Sequence, residues 1–158
     1  MSDGARFVAA VVILVFRGGR LLAMRRSAAR DAAPGEWEAV SGRIRRGEQP
    51  IEAARREARE ETGLVVELDP DPIAAYQAKR GSADMVVIAY RGRSASGAVR
   101  LSGEHDAFAW MTLAAFAGSC RFPALVSAAR RAAGRPGGAR GPGAGSAGRA
   151  RCGRSRAT

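Results

Sequence analysis

The apolar positions change period along the chain, and each change marks an element. Residues 7–16 (FVAAVVILVF) form an unbroken apolar run rich in Val and Phe, which predicts a strand buried on both faces. Gly18-Gly19 signals a turn, and residues 20–26 return as the second strand of a hairpin. Pro34-Gly35 closes a small polar loop that starts at Ser27, and a short apolar segment from Trp37 to Val40 leads into Ser41-Gly42. Residues 42–47 read as loop. From Pro50 to Thr62 the period becomes helical. Pro50 suits the first helical position and Gly63 the position past the end, with Ile51, Ala54 and Ala58 forming the stripe that faces a sheet. Strands are expected at 64–68, 73–78, 85–90 and 107–111, with loop at 91–97, and helices at 113–116 and 123–133. The single domain therefore spans residues 1–133. From residue 134 to 158 Gly, Arg, Ala and Ser alternate without period or aromatics, which predicts a disordered tail.

Charge changes this picture little. Of the formal +11, six arginines with no acid fall in residues 134–158, leaving +5 on residues 1–133. Lys79 is the single lysine, and Ala and Gly abound, so the arginines read as a compositional bias rather than a nucleic-acid face. A moderate positive excess suits the approach of an anionic small molecule. Two cysteines, Cys120 and Cys152, make neither a disulfide framework nor a metal site, and reduced thiols in the cytoplasm are the expectation. The run at 7–16 is too short to span a bilayer, and Asp3 and Arg17 do not suit a secretory leader, so no membrane partner is expected.

The candidate chemistry lies in Gly42 to Leu64, GRIRRGEQPIEAARREAREETGL. Glu57, Glu60 and Glu61 stand at i, i+3 and i+4, which places three carboxylates on one helix face although like charges at that spacing repel. Pairing with arginines accounts for Glu52, with Arg56 four residues on, and for Glu60, but not for three clustered acids beside a glycine loop. A hard divalent cation does account for them, because carboxylate oxygens suit Mg²⁺ or Mn²⁺. Such a cation shared with substrate phosphates points to phosphoryl or pyrophosphoryl chemistry, with a carboxylate taking the proton of an attacking water.

The same residues carry a resemblance. Gly42, Glu48, Arg56, Glu57, Glu60, Glu61 and Gly63, with apolar Ala58 and Leu64, fit the Nudix box, Gly-x5-Glu-x7-Arg-Glu-U-x-Glu-Glu-x-Gly-U with U apolar. The chain resembles a Nudix hydrolase over residues 7 to about 133, which implies an α/β/α sandwich with a mixed sheet and cleavage of a nucleoside diphosphate linked to another group. By this resemblance Glu57, Glu60 and Glu61 are metal ligands, and Ser41 lends its backbone carbonyl. Arg56 orients Glu57, and Glu48 supports the loop or contacts the metal through water. Glu104, six residues before Trp110, is the candidate for a further ligand or general base, with His105 and Asp106 as competitors and an exposed loop acid as the alternative. Arg26 is the candidate phosphate contact at a strand end, or else a solvated residue. The implied reaction is Mg²⁺-dependent hydrolysis of a nucleoside triphosphate, ordinary or modified, with Mn²⁺ as a substitute. ADP-ribose, dinucleoside polyphosphates, nucleotide sugars and a non-catalytic nucleotide-sensing role remain alternatives. Val40-Ser41-Gly42 replaces the family's common Pro-Gly-Gly, and Pro72 and Tyr76 lie nearer the box than markers of ADP-ribose or dinucleoside polyphosphate hydrolases. Trp37, Tyr76 and Tyr90 are available to stack on a base or to pack the core.

Overall fold

A computed structural model describes residues 6–29 and 33–136. The expected tail lies outside the described residues from 137 onward. Its first residue, Gly134, belongs instead to the last helix.

The apolar run folds as β1 (Val8–Arg17), followed across Gly18-Gly19 by β2 (Arg20–Arg26). The remaining elements are β3 (Trp37–Glu38), β4 (Val40–Arg43), α1 (Pro50–Thr62), β5 (Glu67–Leu68), β6 (Ala74–Arg80), β7 (Ala83–Arg93), β8 (His105–Met111), α2 (Leu113–Ser119) and α3 (Pro123–Gly134). β1 runs parallel to β7 from Val8↔Met85 to Phe16↔Arg93, whereas the other pairings are antiparallel, so the sheet is mixed.

The alternation along β1 builds both layers at once. Val11, Ile13 and Val15 join Ala53, Ala54, Ala58 and Leu64 on the α1 face. Val12, Leu14 and Phe16 join Phe116, Leu125, Val126 and Ala129 beneath α2 and α3. The result is the expected α/β/α sandwich, with β1 buried on both faces. On α1 the stripe is shifted from the expected one. Ala53 is fully buried beside Ala54 and Ala58, while Ile51 is only partly covered at the helix start.

Several expected boundaries move for one reason, the need of β1 for partners. β2 pairs with β1 only at Phe16↔Leu21 and Arg17↔Arg20 before it splays away. The vacated edge of β1, Ala10 to Ile13, is taken by β4, so Gly42 and Arg43 are strand rather than loop. β7 likewise extends through Arg91, Gly92 and Arg93 instead of ending at Tyr90. A side chain at Gly92 would collide with Val66, which explains how β5 and its approach pack so closely there. Of residues 64–68, only Glu67 and Leu68 are strand. The polar residues His105 and Asp106 begin β8, and α2 runs on to Ser119. Glu52 does not pair with Arg56. Its carboxylate accepts from the Gln49 N–H at 3.0 Å, closing a capping box at the start of α1.

Arg91 ties α3 to the sheet. Its guanidinium donates to the Ala132 carbonyl at 3.0 Å, lies 3.5 Å from Asp69 and sits over the Phe16 ring. Arg91→Ala leaves Asp69 without this cation and removes the side-chain donor to the last turn of α3. The expected loss is about 2–4 kcal/mol in urea denaturation. A loss below about 0.5 kcal/mol would show that α3 docks through its apolar face alone.

Candidate active site

The glycine at the start of the box has a specific job. Gly42 sits in β4 directly beneath α1, and a Cβ added there would overlap the Glu57 carboxylate. Absence of a side chain at Gly42 is what lets Glu57 lie against the strand. Gly42→Ala must therefore displace Glu57. It is expected to reduce metal-dependent activity at least about tenfold with far-ultraviolet circular dichroism unchanged, and wild-type activity in that variant would show that Glu57 need not lie there.

Arg56 organises the exposed side of the cluster. It donates to Glu57 Oε1 at 2.6 Å, to Glu48 Oε1 and Oε2 at 2.7 and 2.9 Å, to Glu60 Oε2 at 3.3 Å and to the Arg43 carbonyl at 3.0 Å. Arg56 is thus bonded to Glu57, and Glu48 also accepts from the Arg45 N–H of the loop at 3.0 Å. These bonds, with the Arg45 N–H, hold the Glu48 carboxyl down at about 2, and in turn raise Arg56. Glu60 is half-exposed, with Arg45 at 3.5 Å as a second partner.

Glu61 occupies a different environment. It is buried, and its Oε2 accepts from the Ser41 N–H at 3.2 Å. Burial pushes its pKa up to about 8, reinforced by the charges of Glu38, Glu57 and Glu104. Glu104 is brought near by backbone bonds. Ser102 N–H donates to the Glu61 carbonyl at 3.2 Å, and Ser27 N–H donates to the Glu104 carbonyl at 3.0 Å. Glu104 is thus partly buried beside the cluster rather than an exposed loop acid. Its two competitors are committed elsewhere, Asp106 to Arg25 at 2.7 Å and His105 to Glu38 at 2.9 Å.

The carboxylates do not form a closed ligand set by themselves. Among the described residues no three His, Cys, Asp or Glu groups are arranged to hold a metal ion. Arg56 draws Glu48, Glu57 and Glu60 to one side, and Ser41 holds Glu61 on the other. Their chemistry nevertheless fits a divalent cation. The donors are hard oxygens, the Gly42 cradle admits Glu57, and Glu61 is a buried acid facing three more acids with too little positive charge to ionise readily.

Arg26 departs from the solvated reading of a strand end. It is buried, not solvated, and its Nη1 lies 3.1 Å from Glu38 Oε1. A cavity of about 470 Å³ adjoins the cluster, bounded by Ser41, Gly42 and Arg43 of β4, Tyr76 to Gly81, and the start of α3. Glu38 is part of its wall and Arg26 is not. Tyr76 lines this cavity, whereas Trp37 packs on the α3 side of the core and Tyr90 on the α1 side. Glu38 was the residue sequence reasoning missed. The available signal was a lone acid inside the short apolar segment from Trp37 to Val40.

This fold, with the box residues gathered where α1 meets β4, defines a class. The chain belongs to the Nudix family, whose NUDIX domain matches residues 6–132. It is 35% identical over 100 residues to a "MutT-like protein" of Streptomyces ambofaciens, covering 63% of this chain and 60% of that protein. It is 37% identical over 110 residues to an "Octanoyltransferase" of Myxococcus xanthus, covering 64% of this chain and 30% of that one. The chain therefore spans less than two thirds of either curated relative. Among solved structures, the MutT protein from Methanosarcina mazei Go1 superimposes with a TM-score of 0.72 at 25% identity, over 82% of this chain and 95% of that one.

Proposed function

We propose that the protein is a Mg²⁺-dependent Nudix pyrophosphohydrolase acting on a nucleoside triphosphate, ordinary or modified, and releasing a monophosphate and pyrophosphate. The observation that carries this reading is the convergence of Glu57, Glu61 and Glu104 beside Ser41 and Gly42, two residues that also line a cavity large enough for a nucleoside. Glu57, Glu60 and Glu61 would hold the cation, with the Ser41 carbonyl as a further oxygen. Bound there, Mg²⁺ would offset phosphate charge and acidify a water. Arg56 fixes Glu57 in place, and Glu104 would take the proton of the water attacking phosphorus. Arg26 serves this site through Glu38 rather than by reaching the cavity itself.

Among the described residues no helix is long and apolar enough to cross a membrane. A cytoplasmic location, where nucleotides and reduced thiols occur, completes the proposal.

The test is a product-release screen with Mg²⁺ or Mn²⁺ over nucleoside triphosphates, oxidised nucleotides, ADP-ribose, dinucleoside polyphosphates and nucleotide sugars. Turnover is expected to be highest for a triphosphate. Faster cleavage of ADP-ribose or a dinucleoside polyphosphate would move the protein to that branch. Nucleotide binding without product from any of these compounds would make it a sensing module.

A further inference from the structure

The cavity wall contains a charged group, Glu38, to which the hydrolytic reading gives no contact with substrate. Glu38 is 7% exposed, yet it carries three basic neighbours from three different elements. Its Oε1 accepts from Arg26 Nη1 at 3.1 Å, on β2, and lies 2.9 Å from His105 Nε2, on β8. Its Oε2 has Arg80 Nη2 at 3.7 Å, on β6, which is too long for a hydrogen bond. Arg80, like Glu38, lines the cavity.

The two oxygens therefore differ. Oε1 is fixed from behind by Arg26 and His105, which lie outside the cavity wall. Oε2 lies toward a cavity residue and receives no hydrogen bond among the described residues. Burying such a set of charges is costly, and an apolar replacement often does as well for stability alone. A carboxylate oriented by a supporting shell, with one oxygen left for a ligand, is how a site reads a polar group in an otherwise apolar pocket. Most of the remaining cavity wall is apolar, including Ala10, Val12, Met85, Val87 and Leu125.

We propose that Glu38 is a specificity-determining residue, accepting through Oε2 an N–H donor from the heterocycle of the substrate while Arg26 and His105 hold Oε1. The inference rests on the proposed nucleotide-hydrolase reading, which assigns the cavity to the substrate. The phosphates would lie toward Glu57 and Glu61, and the base would reach inward past Ser41 to Glu38. The donor is a ring or exocyclic N–H, made selective by the charge of its acceptor.

The experiment compares kcat/KM of the full chain and of Glu38→Gln for the four common ribonucleoside triphosphates. Glu38→Asp, which keeps the charge for Arg26 but withdraws Oε2, is measured alongside and decides the matter if Glu38→Gln does not fold. The wild type is expected to discriminate among the bases, and both variants to reduce the ratio of best to worst substrate at least about tenfold. An equal fall for all four substrates would overturn the proposal and leave Glu38 a support for Arg26. No discrimination by the wild type would overturn it as well. Binding of the four nucleoside 5′-monophosphates, followed calorimetrically, separates this inference from the catalytic one. If no triphosphate is cleaved, base-selective binding by wild type that is lost in the variants still supports Glu38, and unselective binding sinks it.

Discussion

Glu57→Gln is expected to lower metal-dependent turnover on the order of a thousandfold while leaving the fold intact. Glutamine keeps nearly the same shape against Gly42, so the cradle stays filled and α1 stays docked through Ala53, Ala54 and Ala58. The substitution removes one negative charge at the point where β4 and α1 come closest. It also replaces the acceptor of the 2.6 Å bond from Arg56, so Arg56 turns more fully to Glu48 and Glu60. The check is a steady-state assay on the best substrate from the screen, with thermal denaturation run in parallel. Activity within about threefold of wild type would remove Glu57 from the reaction.

Glu61→Gln is expected to act on stability and activity in opposite directions. The carboxyl of Glu61 is raised in the fold to about 8 from its ordinary 4.5, because it is buried and faces Glu38, Glu57 and Glu104. The sign follows from that direction. The fold favours the protonated acid, so its stabilising contribution is complete below about pH 4.5 and is lost as pH rises through about 8. Wild-type protein without divalent cations should therefore lose stability between pH 5 and 9, on the order of a few kcal/mol. Glu61→Gln stays neutral throughout and still offers an oxygen to the Ser41 N–H, so it should lack this loss and exceed the wild type at pH 9. Added Mg²⁺ should restore wild-type stability at that pH and leave the variant unmoved, while the variant's turnover falls about as far as that of Glu57→Gln. Urea titrations at the two pH values, in chelator and in Mg²⁺, measure all of these. Equal pH dependence in both proteins would show that Glu61 is not the strained acid.

What the sequence made legible follows from the range of the forces involved. The helix from Pro50 to Thr62 was readable to the residue, because a proline start and a left-handed glycine at Gly63 are local signals. The parallel partnership of β1 with β7 joins residues 77 positions apart, so the sequence could supply the apolar strands but not their pairing. That pairing is what drew Gly92 and Arg93 into strand, and the splaying of β2 did the same for Gly42 and Arg43. The box residues were legible as a group, and their division between an Arg56-bound set and a buried Glu61 was not. Spacing along a helix puts carboxylates on one face, but whether strand β4 covers one of them is a tertiary fact. Arg26 shows the same limit. A residue at a strand end reads as solvated or ligand-facing until β3 and β8 bring Glu38 and His105 over it.

The claim beneath these predictions is that the α1 carboxylates hold a divalent cation. Mn²⁺ binding to the full chain, followed by electron paramagnetic resonance in wild type, Glu57→Gln and Glu61→Gln, tests it without reference to any substrate. Saturable binding by the wild type, weakened at least about tenfold in each variant, is the predicted result. Binding of equal strength in all three proteins, or no binding by the wild type at millimolar Mn²⁺, would contradict it.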